Sequence, residues 1–288
     1  MKKFLVLISF LAVFCATSNG LDDFAQQLEK NLAAAPSLDI GIAGSENNPA
    51  YWFQKAKLEY LSGSYESAVQ SLDKSLSMEP GQEEAWIFRG GLLSNLGQFD
   101  DALSSFEQAI LLNGSNPSSW YERGLILYVA LARYDEALQS FDQSLALAPD
   151  NPLAWYYKGK ALAEGPGRYA ESLQALDTSL QLDANNPVAW NYRGFVMARY
   201  VQMYNDSLGY FDNAIALNQS YAEPWTNRGA SFYAMGRYDD ALVSFNRAIQ
   251  INKDYAKAWQ GKGLTLRAQG NQMEAEEAFT QARILGYR

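Results

Sequence analysis

The chain has 288 residues, 48% of them hydrophobic, with a formal net charge of -9 and a pI near 4.7. An acidic balance of this size argues against nucleic acid or anionic membrane surfaces as main partners, because phosphate binding needs clustered cations. There is no histidine and Cys15 is the only cysteine, which removes histidine triads, the usual zinc sites and most thiol chemistry.

The first residues read as an export signal over 1–20. Lys2 and Lys3 precede an apolar run from Phe4 to Phe14, followed by small and polar residues from Ala16 to Gly20. That run is too short to cross a bilayer comfortably and suits a cleaved signal peptide, cut after Ser18 or Gly20. Lipid attachment at Cys15 is the rival, but Phe14 stands where a lipoprotein signal usually wants a small residue. Cleavage leaves 21 basic against 32 acidic residues, a net charge of -11, and no thiol. The product is exported: secreted, periplasmic or held at the cell surface. Residues 21–48 come next. Phe24, Ala25, Leu28 and Leu32 form an apolar stripe that predicts a capping helix, and Pro36 to Asn48 reads as a linker.

From residue 49 the chain is periodic. All seven tryptophans, Trp52, Trp86, Trp120, Trp155, Trp190, Trp225 and Trp259, recur at spacings of 34 or 35 residues. Such a period marks stacked units, each too small to bury its own apolar face. With tryptophan at position 4, the units are 49–82, 83–116, 117–151, 152–186, 187–221, 222–255 and 256–288. Four residues beyond the tryptophan stands a small residue: Ala56, Gly90, Gly124, Gly159, Gly194, Gly229 or Gly263. An aromatic at the predicted inter-helix turn follows (Tyr65, Phe99, Tyr134, Tyr169, Tyr204, Tyr238; Gln272 breaks the column), then Ala or Ser. Next comes a large wedge: Leu72, Phe106, Phe141, Leu176, Phe211, Phe245 or Phe279. Apolar residues at spacings of three and four predict one buried helix face, and two such faces per unit predict a helical hairpin. Acids such as Asp100, Asp101, Asp239 and Asp240 open the second helices, where they suit the positive end of the helix dipole.

The pattern W-x-x-[K/R]-G, an aromatic, then A/S-x-x-x-F/L and A/S resembles the tetratricopeptide repeat family across residues 49–288. The resemblance implies an all-α, right-handed superhelical solenoid of antiparallel helix pairs, with a concave groove lined by the first helices. Units three, four and five carry one extra residue before the second helix, including the turn at Gly165, Pro166 and Gly167. The chain ends on Ile284, Leu285 and Tyr287 without the polar cap that solenoids usually need. The last repeat is therefore expected to expose an apolar face or to self-associate.

No phosphate loop follows a strand, and the acids sit at solvated helix starts, so the sequence points to neither an enzyme nor a cofactor or metal site. Position 7 is basic in every unit: Lys55, Arg89, Arg123, Lys158, Arg193, Arg228 and Lys262. Position 25 is acidic in five: Asp73, Glu107, Asp142, Asp177 and Asp212. The columns read as a structural ladder, with a row of cations for an anionic ligand as the other reading.

The resemblance places positions 2, 5, 6, 9, 12 and 13 of the first helices in the groove. The basic and asparagine clamp of some relatives is not matched. Aromatics stand there instead, including Phe53, Tyr60, Tyr128 and Tyr233, and the groove candidates are Phe88, Tyr121, Tyr156, Tyr157, Tyr192 and Phe195. Rigid aromatics with a polar tip are common binding anchors, whereas the alternative is ordinary packing between repeats. The expected function is a non-catalytic scaffold that binds a protein or peptide segment, with glycan binding by the same aromatics as the alternative. Asn113, Asn205 and Asn218 head glycosylation-type sequons.

Overall fold

The computed structural model describes residues 46–287, so the expected signal peptide, Cys15, the expected capping helix and most of the expected linker lie outside the described residues. Among the described residues the chain is all helical. Its fourteen helices are α1 (Pro49–Leu61), α2 (Tyr65–Met78), α3 (Glu83–Asn95), α4 (Phe99–Leu112), α5 (Pro117–Val129), α6 (Tyr134–Leu147) and α7 (Pro152–Glu164), continuing with α8 (Tyr169–Leu182), α9 (Pro187–Arg199), α10 (Tyr204–Leu217), α11 (Ala222–Ala234), α12 (Tyr238–Ile251), α13 (Ala256–Ala268) and α14 (Gln272–Ile284). They pair in order as seven hairpins. The described chain divides into two compact units, one up to Asn113 and one from Gly114.

Local chemistry sets the helix boundaries. Asn48, Asn116, Asn151 and Asn186 each accept a hydrogen bond from a first-turn amide, and the next residue in each case is proline. Asparagine caps the free N–H groups, and proline at the first helical position gives up only an amide that had no partner. The turn inside each hairpin contains a residue of positive φ. Gly63, Gly97, Gly236 and Gly270 serve the shorter turns, while Ala132, Gly167 and Gln202 serve the three turns that are one residue longer.

Glycine inside the first helix has a different purpose. A Cβ added to Gly194 would come within 2.8 Å of the Phe211 ring, and at Gly124 within 2.8 Å of Phe141. The wedge of each second helix thus lies directly on the backbone of its own first helix. Phe106, Phe141, Phe211, Leu72 and Leu176 are fully enclosed as a result.

In the first unit, Phe53, Ala56, Ala68, Leu72, Leu76, Ala85, Phe88 and Leu92 form one core shared by the first two hairpins. In the second unit each second helix packs on the first helix of the following hairpin, as α6 does on α7 and α8 on α9. Neighbouring first helices also touch, namely α5 with α7, α9 with α11, and α11 with α13. No helix among the described residues is long and apolar enough to cross a membrane.

Candidate functional site

The tryptophans and the position-7 cations share one side of the first helices, because residues three apart on a helix are neighbours. Trp52 is buried and the other six are half-buried. The indole N–H of Trp155 donates to the Pro149 carbonyl at 2.9 Å, and those of Trp52, Trp86, Trp120, Trp190 and Trp259 donate to the carbonyl six residues back. Trp225 differs: its Nε1 is buried and has no acceptor. Six of the seven tryptophans therefore join their first helix to the turn before it, and only Trp52 is enclosed.

Cations stand over these rings, with Lys158 Nζ 4.9 Å from the Trp155 centroid and Arg228 4.5 Å from that of Trp225. Their charges meet the acid of the preceding hairpin: Arg89 with Asp73 at 2.7 Å, Lys158 with Asp142 at 2.7 Å, Arg228 with Asp212 at 2.6 Å, and Arg193 with Asp177 through both carboxylate oxygens. Arg89 and Arg123 also donate to Ser105 and Ser140 of their own second helices. Long stems cover apolar surface and the charged heads are satisfied within the protein, so at these four acids the column forms the ladder.

The six aromatic groove candidates separate by burial. Phe88 is only 2% exposed, Tyr121 6%, Tyr156 6% and Tyr157 4%. These four are enclosed by packing, which leaves them little surface for a partner. Phe88 meets Phe53 and Tyr60 edge-on, and Tyr157 lies among Tyr121, Tyr128, Phe141 and Tyr156. Tyr192 and Phe195 are half-buried and in contact with each other.

Around Tyr192 the second unit assembles a polar and aromatic patch from three first helices. Glu164, the last residue of α7, accepts a hydrogen bond from Tyr128 of α5 at one oxygen and from Tyr192 of α9 at the other, both at 2.7 Å. Lys160, one helical turn before Glu164, holds its ammonium 5.0 Å from the Tyr192 ring centroid, 5.5 Å from Tyr128 and 5.6 Å from Tyr156. Burial lowers the Lys160 pKa, against the opposite pull of Glu164 and Glu223. Burial, with the charge of Glu164 adding to it, pushes the phenols of Tyr128 and Tyr192 up, so both stay protonated donors.

A second chain of hydrogen bonds links α9 to α11. Asn227 donates to Asn191, Asn191 donates to the Tyr221 hydroxyl, and Tyr221 donates to Glu223, at 2.9, 3.2 and 3.0 Å. Asn191 is itself buried, so these bonds meet its need for partners away from water. Glu122 of α5 stands apart: it is half-buried and makes no hydrogen bond or ion pair among the described residues, and burial raises its carboxyl to about 7.

Sequence reasoning passed over Lys160, Glu164, Asn191, Glu223 and Asn227. They stand at positions 9, 13, 5, 2 and 6 of the first helices, where the repeat keeps no common residue type and so gives no column to read. What was not visible is that Tyr128, Glu164 and Tyr192 meet, 36 and 28 residues apart. The sequon asparagines are exposed: Asn113 donates to Glu83, Asn218 accepts from the Ser220 amide, and Asn205 lies in the first turn of α10. No group of acids able to hold a metal occurs among the described residues.

Models of the tetratricopeptide repeat match residues 49–82, 89–152, 126–187 and 222–255. None of the curated proteins matches the sequence. Among solved structures, a tetratricopeptide repeat protein from Parabacteroides merdae is similar with a TM-score of 0.68 at 19% identity, covering 85% of this chain and 95% of that one. PilW, described as a widely conserved type IV pilus biogenesis factor, gives 0.64 at 22%, covering 75% and 97%. YrrB, described as having an unusual peptide-binding site, gives 0.56 at 22%, covering 70% and 99%. At these identities the likeness is one of fold.

Proposed function

The chain belongs to the tetratricopeptide repeat family, and from that premise we propose that it is a non-catalytic scaffold which binds a segment of another protein on the first-helix face of residues 114–287. The fold is typical of interaction scaffolds. The observation that carries the choice of face is the cross-tie of three successive first helices, Tyr128 to Glu164 to Tyr192. It holds half-buried rings and charged groups in place before any partner arrives, which lowers the ordering cost of binding. Tyr192 and Phe195 supply apolar area at its edge, and half-buried Asn227 supplies an amide. We read the protein as exported, on the strength of Lys2, Lys3 and the apolar run to Phe14. A photo-crosslinking residue placed at Phe195 in the native host should capture a protein at that position. Capture of glycan alone, or capture only from a control position on the outer side of α12, would overturn the proposal.

A further inference from the structure

We propose that the bound segment carries a lysine or arginine side chain that docks on Glu122, an inference that rests on the first-helix face being the binding face. Glu122 has the same register on α5 as Tyr157 on α7, Tyr192 on α9 and Asn227 on α11. On that shared face the other carboxylates are satisfied: Glu164 by two tyrosine hydroxyls, Glu223 by Tyr221. Away from it, Asp142, Asp177 and Asp212 each hold a position-7 cation. Glu122 is half-buried and has neither among the described residues.

Nothing inside the second unit meets its need. The adjacent Tyr121 hydroxyl is buried, makes no hydrogen bond among the described residues, and as a neutral phenol brings no positive charge. Tyr157, the α7 residue in register with Glu122, is a phenol and brings no positive charge. Lys160 feels Glu164 and Glu223 rather than Glu122, and Arg199 is exposed at the far end of α9. Burial acts on the Glu122 carboxyl without an opposing cation, hence its position near 7. A carboxylate withdrawn from water without a partner is unfavourable, and an incoming ammonium or guanidinium supplies both the charge and the donors it lacks. A partner anion would find the reverse.

The test uses the full chain and a phage-displayed library of random peptides, selected near pH 8. The selected peptides should share a lysine or arginine. Glu122→Gln should weaken them at least tenfold, and replacing the peptide's cation with norleucine should weaken wild type equally but leave the variant unaffected. Wild-type affinity should also fall between pH 8 and pH 6 as the carboxyl protonates, and the variant should lose that dependence. Circular dichroism confirms that Glu122→Gln remains folded. Peptides that need no cation, or whose cation is indifferent to Glu122, overturn this inference alone. Peptides insensitive to Tyr192→Ala with Phe195→Ala, or no peptides at all, overturn the binding face and this inference with it.

Discussion

Two glycines of the α9 and α10 hairpin should respond to the same substitution with opposite sign. At Gly194, in the middle of α9, a Cβ would lie 2.8, 3.0 and 3.1 Å from three atoms of the Phe211 ring. Phe211 is fully enclosed, so the ring cannot swing away and the helices must part. Overpacking of this kind costs roughly 1–3 kcal/mol, against which alanine returns about 1 kcal/mol of helix propensity. Gly194→Ala should therefore lose up to about 2 kcal/mol net. Gly209, in α10, is exposed and nothing lies within 4 Å of its added Cβ. There only the propensity gain operates, and Gly209→Ala should gain about 0.5–1 kcal/mol. Urea denaturation followed by circular dichroism gives the shift, and native-state hydrogen exchange across α9 and α10 localises it, since arrays of this kind can melt by parts. Equal signs, or a neutral Gly194→Ala with unchanged exchange at α10, would refute the close approach of wedge and backbone.

Replacing Trp155 by Phe removes the indole bond to the Pro149 carbonyl and should cost about 1 kcal/mol; Trp225→Phe, which removes a buried donor without an acceptor, should be neutral or stabilising in the same denaturation assay. The Glu122 carboxyl is raised from 4.5 to about 7 in the fold, so the native state binds the extra proton between those values and stability falls as pH rises through them. Glu122→Gln should accordingly stabilise the protein near pH 8, by at most about 3 kcal/mol, and not near pH 4.5; a gain independent of pH would contradict the cause given. Intact-mass analysis of protein from its native source should find an N-terminus at Asn19 or Leu21, and a chain starting at Met1 or a lipidated Cys15 would contradict export by cleavage.

Much of the hairpin architecture was legible because it depends on contacts within about one period. Gly194 and Phe211 stand 17 residues apart, and that offset recurs closely enough along the chain to be read as a column. The same holds for the position-7 cations, whose partners lie 16 residues back in four hairpins. The candidate site was less legible because its members stand at positions where the repeat keeps no column. Tyr156 and Tyr192 differ by one register position, yet the first is enclosed and the second half-buried. One residue turns a helix by about 100°, and only the neighbouring hairpin decides which side of that turn is covered.

The sequence by itself determined the repeat, the pairing of helices within each unit, and the small residue that each wedge requires, because a side-chain pattern at 34 or 35 residues can be buried in few other ways. Tertiary structure alone decided that Phe88, Tyr121, Tyr156 and Tyr157 belong to packing, that Glu164 ties α5 to α9, and that Glu122 has no hydrogen bond or ion pair among the described residues. Those outcomes rest on contacts between hairpins, where each side chain competes for space and for donors with residues some 30 positions away, and no local pattern records who wins.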